Sequence, residues 1–197
     1  MKVGLIVEGH GEVQSAPILV RRILQELEPT LRPSILTPLR VSRGQLTKEE
    51  GLETAIEFMA RKVGTEGRIL LLLDADDDLP CVLGPKLLAQ ARGVRPDRHI
   101  SVVVAKREYE AWFLTAAESL RGRRKLPEDL VPPPVPEEIR NAKGWLSKYM
   151  ADGYSETIDQ PALTNIFDLT AARRADSFDK LFREVGRLFG VSVPPRP

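Results

Sequence analysis

The feature that most constrains this chain is a set of short, uninterrupted apolar segments. Residues 69–73 are five consecutive Ile and Leu residues, and residues 99–105 form a second continuous run rich in β-branched side chains. Neither run alternates polar with apolar residues, which is typical of parallel strands covered on both faces. Residues 2–7 predict a first strand, and residues 35–41 predict a weaker second strand that contains Pro38.

Helical periodicity fills the intervals between these strands. Apolar residues recur at helical spacing from Ile18 to Leu27, and we expect Ser15 to cap that helix. Thr47 and Glu50 have the spacing of a capping box before the next helix. The alternation of strands and helices predicts an α/β fold with a doubly wound, four-stranded, mainly parallel, Rossmann-like sheet.

The composition changes after residue 120. A basic turn at residues 121–125 is followed by five prolines between Pro127 and Pro136, which favour a stiff, extended connection. Helical periodicity then returns to the end of the chain. We therefore predict an α/β domain at residues 1–120, a basic and proline-rich connection at 121–136, and a helical annex at 137–197 packed on the α/β domain.

Charge and cysteine content exclude several classes of protein. The 29 basic and 28 acidic residues leave a net charge of +1, so no global field draws the molecule to nucleic acid or to an anionic membrane. Cys81 is the only cysteine, which rules out an internal disulfide and a thiolate-rich zinc site. The apolar runs are too short to span a membrane and the start does not resemble a signal peptide, so we expect a cytoplasmic protein.

Acidic residues follow three of the predicted strands. Glu8 ends the first strand, Asp74 and Asp76 follow the third, and Glu110 lies shortly after the fourth. The carboxyl ends of parallel strands meet at one edge of a sheet, where ligands bind in such folds. Clustered carboxylates repel one another, and a hard divalent cation relieves that repulsion. These four residues, the acidic edge, therefore predict a site for Mg²⁺ or Mn²⁺.

The turn that follows the first strand supplies further candidates. Gly9 and Gly11 allow a backbone to approach a phosphate closely, and Glu12 and Asp78 are additional acidic candidates beside the metal. The charge of Glu12 is also favoured simply by its place in the first turn of a helix.

Basic residues near the acidic edge have two interpretations. Lys106 and Arg107, just after the fourth strand, are candidates for catalysis and for phosphate binding, and they equally suit a solvated helix start. The basic turn at residues 121–125 is a weaker candidate for contacting nucleic-acid phosphates. In the annex, Lys143, Tyr154 and Asp159 are potential site residues, but no feature of the sequence places them at the acidic edge.

An apolar strand ending in Val-Glu-Gly-x-Gly-Glu, followed by a later strand ending in Asp-x-Asp, resembles the Toprim domain. That domain occurs in topoisomerases, bacterial primases and the overcoming-lysogenization-defect nucleases, and the likeness covers roughly residues 1–117. Residues 108–114 and the tail around Tyr154, Pro161 and Phe167 look more specifically like a family of Toprim-related bacterial proteins of unknown function.

The resemblance implies phosphodiester chemistry supported by Mg²⁺. Glu8 matches the family glutamate, which acts as general acid/base or metal ligand, and Asp74 and Asp76 match the two metal-binding aspartates. The tyrosine-bearing domain of topoisomerases and the zinc-binding domain of primases are both missing, which leaves nuclease-like hydrolysis of DNA or RNA. A non-catalytic accessory subunit that binds metal or nucleotide beside a protein partner such as an ATPase is the alternative.

Two other functions suit the sequence less well. A glycosyltransferase would use Asp74 and Asp76 but would leave Glu8 and its glycine turn without a role. A phosphoacceptor domain would need its larger acidic cluster after the first strand, whereas here that cluster follows the third.

Overall fold

Five parallel strands form one sheet in the computed structural model, which describes residues 1–197. Strand β1 (Lys2–Val7) pairs on one side with both β2 (Ser34–Ile35) and β3 (Leu39–Arg40). On its other side lie β4 (Arg68–Asp74) and then β5 (His99–Ala105). The predicted doubly wound parallel α/β fold is confirmed. The sheet has five strands instead of four because the second predicted strand is divided at Thr37 and Pro38, and proline has no N–H for the ladder.

The helices alternate with these strands and then continue to the end of the chain. They are α1 (Glu12–Leu27), α2 (Arg43–Leu46), α3 (Glu49–Val63), α4 (Pro80–Val94), α5 (Ala111–Thr115), α6 (Ala142–Tyr149), α7 (Asp159–Thr164), α8 (Leu169–Ala172) and α9 (Asp176–Phe189). No helix has both the length and the apolar character that crossing a bilayer requires.

Two helices begin differently from the sequence prediction. Helix α1 begins at Glu12, so Ser15 lies inside its first turn, and its buried hydroxyl has no hydrogen-bond partner. The capping box at Thr47 and Glu50 is also wrong, because α3 begins at Glu49 and the Thr47 hydroxyl donates to the Arg43 carbonyl at 2.9 Å. The earlier start of α1 places Glu12 where the helix dipole stabilises its negative charge.

Each face of the sheet has its own apolar core. Val3, Leu5 and Val7 of β1 point into a core of 34 buried residues that contains α1 and most of the C-terminal helices. Alternate residues of the strands point the opposite way, into a core of 17 buried residues closed by α3 and α4. Covering on both faces explains why the strands are continuously apolar.

An aromatic cluster joins the C-terminal helices to the rest of the molecule. Trp112 of α5 lies 5.3 Å from Phe178 of α9, edge to face, and its Nε1 donates to the Ser177 hydroxyl at 2.8 Å. Phe113 makes a similar edge contact at 5.3 Å with Phe167. The proposed division at residues 120 and 137 stays a prediction, but residues from both sides of it share this core.

The residue that follows the proline-rich connection caps a helix. Glu137 is buried, and its carboxylate accepts hydrogen bonds from the backbone amides of Asp176 at 2.9 Å and Ser177 at 3.1 Å. These amides belong to the first turn of α9, which has no partner for them within the helix. Glu137 therefore fixes the start of the helix that covers β5.

Gly4 offers a direct test of the packing between β1 and α3. A Cβ atom at Gly4 would lie 2.2 Å from Met59 Sδ, whereas one at Gly93, in the last turn of α4, would meet nothing within 4 Å. We expect Gly4→Ala to lower the free energy of unfolding by roughly 1–3 kcal/mol through overpacking. Gly93→Ala should instead raise it by roughly 0.5–1 kcal/mol. Urea denaturation of both variants checks this, and equal effects would contradict the packing.

Candidate functional site

The carboxyl ends of β1 and β4 meet through Glu8 and Asp74. Val7 is level with Leu72 in the ladder, and the Asp74 backbone amide lies 3.4 Å from Glu8 Oε2, to which it donates. Asp74 is also level with Ala105 at the end of β5. Its Oδ1 accepts a hydrogen bond from the Tyr109 amide at 2.8 Å. The side chain of Asp74 is thereby held between the ends of three neighbouring strands.

Asp74 belongs to a polar group that we call the inner cluster. Its other members, Glu12, Glu110 and Gln160, are more deeply buried. Gln160 Nε2 donates to Glu12 Oε1 at 3.2 Å and to Glu110 Oε1 at 3.0 Å. Tyr154 also donates its hydroxyl to Glu110 Oε1, at 2.8 Å. Glu12, Glu110 and Gln160 are at most 5% exposed. Helix α1, the end of β4, the start of α5 and the annex therefore all contribute to one polar interior.

Burial dominates the electrostatics of the inner cluster. Loss of hydration raises the pKa of Glu110 to about 7 and raises that of Glu12. Burial, reinforced by the charges of Glu12 and Glu110, holds the pKa of Asp74 well above its ordinary range. Burial alone would lower the pKa of Lys143, but the nearby carboxylates of Glu110 and Asp74 reverse that effect and raise it. Lys143 is thus the counter-charge of this cluster.

Three oxygen atoms of the inner cluster are buried without a hydrogen-bond partner. They are Glu12 Oε2, Glu110 Oε2 and Gln160 Oε1. A buried acceptor without a donor is costly, so such atoms mark a place where a ligand or cation is expected. Carboxylate and amide oxygens are hard donors that suit Mg²⁺ or Mn²⁺, so these residues fit such an ion.

The two glycines of the first turn leave room for these oxygens. A Cβ atom at Gly9 would lie 2.2 Å from Glu12 Oε2, and one at Gly11 would lie 2.5 Å from Gln160 Oε1. Any other residue at either position would displace an inner-cluster side chain. The structure thus gives both glycines a packing role next to Glu12 and Gln160, while phosphate binding by their backbone stays a prediction.

The loop after β4 points its carboxylates outward, toward an arginine. Asp76 has a left-handed backbone (φ 50°), and its Oδ2 lies 3.3 Å from Arg43 Nε. Arg43 also donates to the Asp74 and Ala75 carbonyls and to the Asp78 carboxylate. One guanidinium therefore fixes the shape of the whole loop and draws Asp76 away from the inner cluster.

The basic residues after β5 are already paired with acidic side chains. Lys106 forms an ion pair with Glu138 at 2.5 Å, and Arg107 donates to Asp77 Oδ1 at 2.6 Å. Arg107 has a left-handed backbone (φ 64°), and its carbonyl accepts from the Asp76 amide at 3.0 Å. These partly exposed pairs stabilise the fold only weakly.

The acidic residues do not form a ready-made metal centre. No three His, Cys, Asp or Glu side chains are grouped in the manner of ligands around one ion. Glu8 and Asp74 are in contact, Glu12 and Glu110 share Gln160, and Asp76 and Asp78 share Arg43. The roles predicted for these residues stay predictions.

Comparison with protein families matches residues 7–186 to the family described as a domain of unknown function, DUF4276. The match contains every residue of the acidic edge and most of the annex. The chain belongs to the DUF4276 family. Neither the curated proteins nor the solved structures gave a match. The expectation of a family of unknown function is confirmed, while the likeness to Toprim domains and to the overcoming-lysogenization-defect nucleases stays a hypothesis.

Several residues at the site of this DUF4276 member were not assigned there from sequence. Arg43 follows the short strand β3, which pairs with β1. No residue spacing in the sequence relates Arg43 to the acidic edge. Gln160, Tyr154 and Lys143 come from the annex, whose docking on the sheet edge is a tertiary contact with no local pattern. The nearest signal in the sequence is the family likeness of the tail around Tyr154 and Pro161.

The buried Glu110 predicts a specific dependence of stability on pH. Folding raises its pKa from the ordinary 4.5 to about 7, so the folded chain retains a proton that the unfolded chain releases. The resulting stabilisation is complete below about pH 4.5 and is lost as pH rises through 7. We expect Glu110→Gln to reduce the fall in unfolding free energy across this range, by at most about 1.4 kcal/mol per pH unit.

Urea denaturation at a series of pH values between 4.5 and 8 measures this slope. Glu66→Gln is the matched control, because Glu66 is exposed and has no side-chain hydrogen bond or ion pair. An unchanged slope in Glu110→Gln would show that Glu110 is ionised in the folded protein throughout.

Proposed function

We propose that the acidic edge binds Mg²⁺ or Mn²⁺ and hydrolyses phosphodiester bonds in nucleic acid. The observation that carries the proposal is the set of three buried, unpartnered oxygens of Glu12, Glu110 and Gln160 beside Asp74. They lie at the carboxyl ends of parallel strands, where ligands bind in open α/β sheets. The likeness of Glu8, Asp74 and Asp76 to the Toprim motif supports the same chemistry.

Asp74, Glu110 and Glu8 are the residues proposed to hold the cation, with Asp76 joining them when it leaves Arg43. When bound, a divalent cation polarises the phosphate and makes a bound water more acidic. Glu12 contributes a further oxygen from the inner cluster. Asp76 is exposed and its ion pair with Arg43 is partly exposed. Exchange of Arg43 for the cation as the partner of Asp76 would therefore require little energy.

Glu8 is the proposed general base. It is half-buried, and burial raises the pKa of its carboxyl, with Asp76 and Glu12 adding to the effect. A carboxylate of raised pKa is a better proton acceptor near neutral pH. The oxygen of the attacking water bonds to phosphorus, its proton passes to Glu8, the ester P–O bond breaks, and the leaving oxygen takes a proton from solvent. Lys106 and Arg107 would stabilise charge on the phosphate after leaving Glu138 and Asp77.

One observation favours the non-catalytic alternative, an accessory subunit that binds metal or nucleotide for a partner such as an ATPase. Lys106 and Arg107, the basic residues proposed to contact the phosphate, are engaged with Glu138 and Asp77. Lys143, whose Nζ lies 3.2 Å from Glu156, already supplies positive charge beside the cluster. Such a protein would bind Mn²⁺ but would not cleave nucleic acid alone.

Cleavage of supercoiled plasmid, single-stranded DNA and RNA in Mg²⁺ or Mn²⁺ tests the proposal. We expect metal-dependent cutting that EDTA abolishes and that falls by about 10²–10⁴-fold in Glu8→Gln, the loss expected for a missing general base. Asp76→Asn should also lose activity because a metal ligand is removed.

Asp129→Asn and Glu66→Gln are the matched controls, because both residues are exposed and neither has a side-chain hydrogen bond or ion pair. Cutting that persists equally in Glu8→Gln and Asp76→Asn would come from another source and would refute hydrolysis at this edge. Binding of Mn²⁺ without any cutting would support the accessory role.

A further inference from the structure

Gln160 connects the annex to both ends of the inner cluster. It lies on α7 and is 1% exposed, and its single amide nitrogen donates to Glu12 and Glu110 at 3.2 and 3.0 Å. These partners are 148 and 50 residues away along the chain. A neutral side chain thus uses both of its N–H groups on two carboxylates that would otherwise repel each other.

The opposite end of the same side chain is unsatisfied. Gln160 Oε1 is buried without a partner, and so are the second carboxylate oxygens of Glu12 and Glu110. A glutamine that served only to fill the interior would be expected to satisfy both ends of its amide, because a buried unpaired acceptor is destabilising. Here the Gln160 amide donates to one oxygen of each carboxylate, of Glu12 and of Glu110, and the second oxygen of each accepts no hydrogen bond.

The helix that carries Gln160 is itself fixed in place. Asp159, its first residue, accepts hydrogen bonds from Arg124 at 2.8 Å and from the Ser155 amide at 2.9 Å. Gly11, which immediately precedes α1, faces Gln160 with no Cβ atom, which permits the close approach. The position of α7 is therefore determined by contacts other than those of the Gln160 amide.

We propose that Gln160 is a positioning residue that holds Glu12 and Glu110 with one free oxygen each, ready for a divalent cation. The proposal rests on the metal binding of the proposed function. Residues that orient metal ligands in this way change metal affinity by about 10–100-fold when they are replaced. The annex thereby takes part in cation binding and does more than cover the sheet.

Isothermal titration of the purified chain with Mn²⁺ tests this without reference to cleavage. Gln160→Met keeps the size of the side chain and removes the bridge, so we expect its Kd for Mn²⁺ to rise by about 10–100-fold. Gln25→Met, at an exposed position of α1, is the matched control and should bind as the wild type does. Thermal unfolding confirms that each variant is folded under the conditions of the titration.

Gln160→Glu separates positioning from direct ligation. It keeps an oxygen but loses the two N–H donors and adds a charge beside Glu12 and Glu110. Weaker Mn²⁺ binding than in the wild type at the same pH supports positioning, whereas tighter binding than wild type would overturn it in favour of a simple oxygen ligand.

Three further outcomes test the positioning role, metal binding and cleavage separately. A folded Gln160→Met with the Kd of the wild type would refute the positioning role while leaving metal binding intact. A wild-type protein that binds no Mn²⁺ would refute both proposals together. Tight binding that depends on Gln160 but is accompanied by no cleavage would keep this inference and remove the nuclease.

Discussion

The burial of three carboxyl groups side by side, those of Glu12, Asp74 and Glu110, is the constraint on which the rest of this molecule depends. Desolvation raises the pKa of each, so their charge is tolerated only where donors and cations surround them. The turn after β5 supplies the Tyr109 amide, and the annex supplies Lys143 and the amide of Gln160. The C-terminal helices consequently complete an electrostatic arrangement that the strands begin.

Two regions with different physical properties result. In the outer region, Arg43 holds Asp76 and Asp78 through exposed contacts that water and salt screen readily. In the inner cluster, buried groups interact in a medium of lower polarity, where each charge and each missing partner has a larger effect.

The parallel α/β sheet could be predicted because the alternation of apolar strands and amphipathic helices is a local pattern. Five consecutive aliphatic residues predict a buried strand, and the residue that follows must lie at its carboxyl edge. The predicted start of α1 was wrong, because Ser15 has the residue type of a helix cap but the helix begins three residues earlier, at Glu12. Gln160 and Arg43 were beyond prediction, because neither has a spacing relation to its partners and only the docked tertiary structure brings them together.

The contact between Gln160 and Glu12 spans 148 residues, which also has a bearing on how the protein is made. During synthesis the chain emerges from its amino terminus, and helix α1 is exposed long before α7 exists. Contacts this distant in sequence form late because the intervening loop must close first. The nascent chain therefore carries its glycine turn and aspartates in an unassembled state, and the site is completed only when translation has passed the seventh helix.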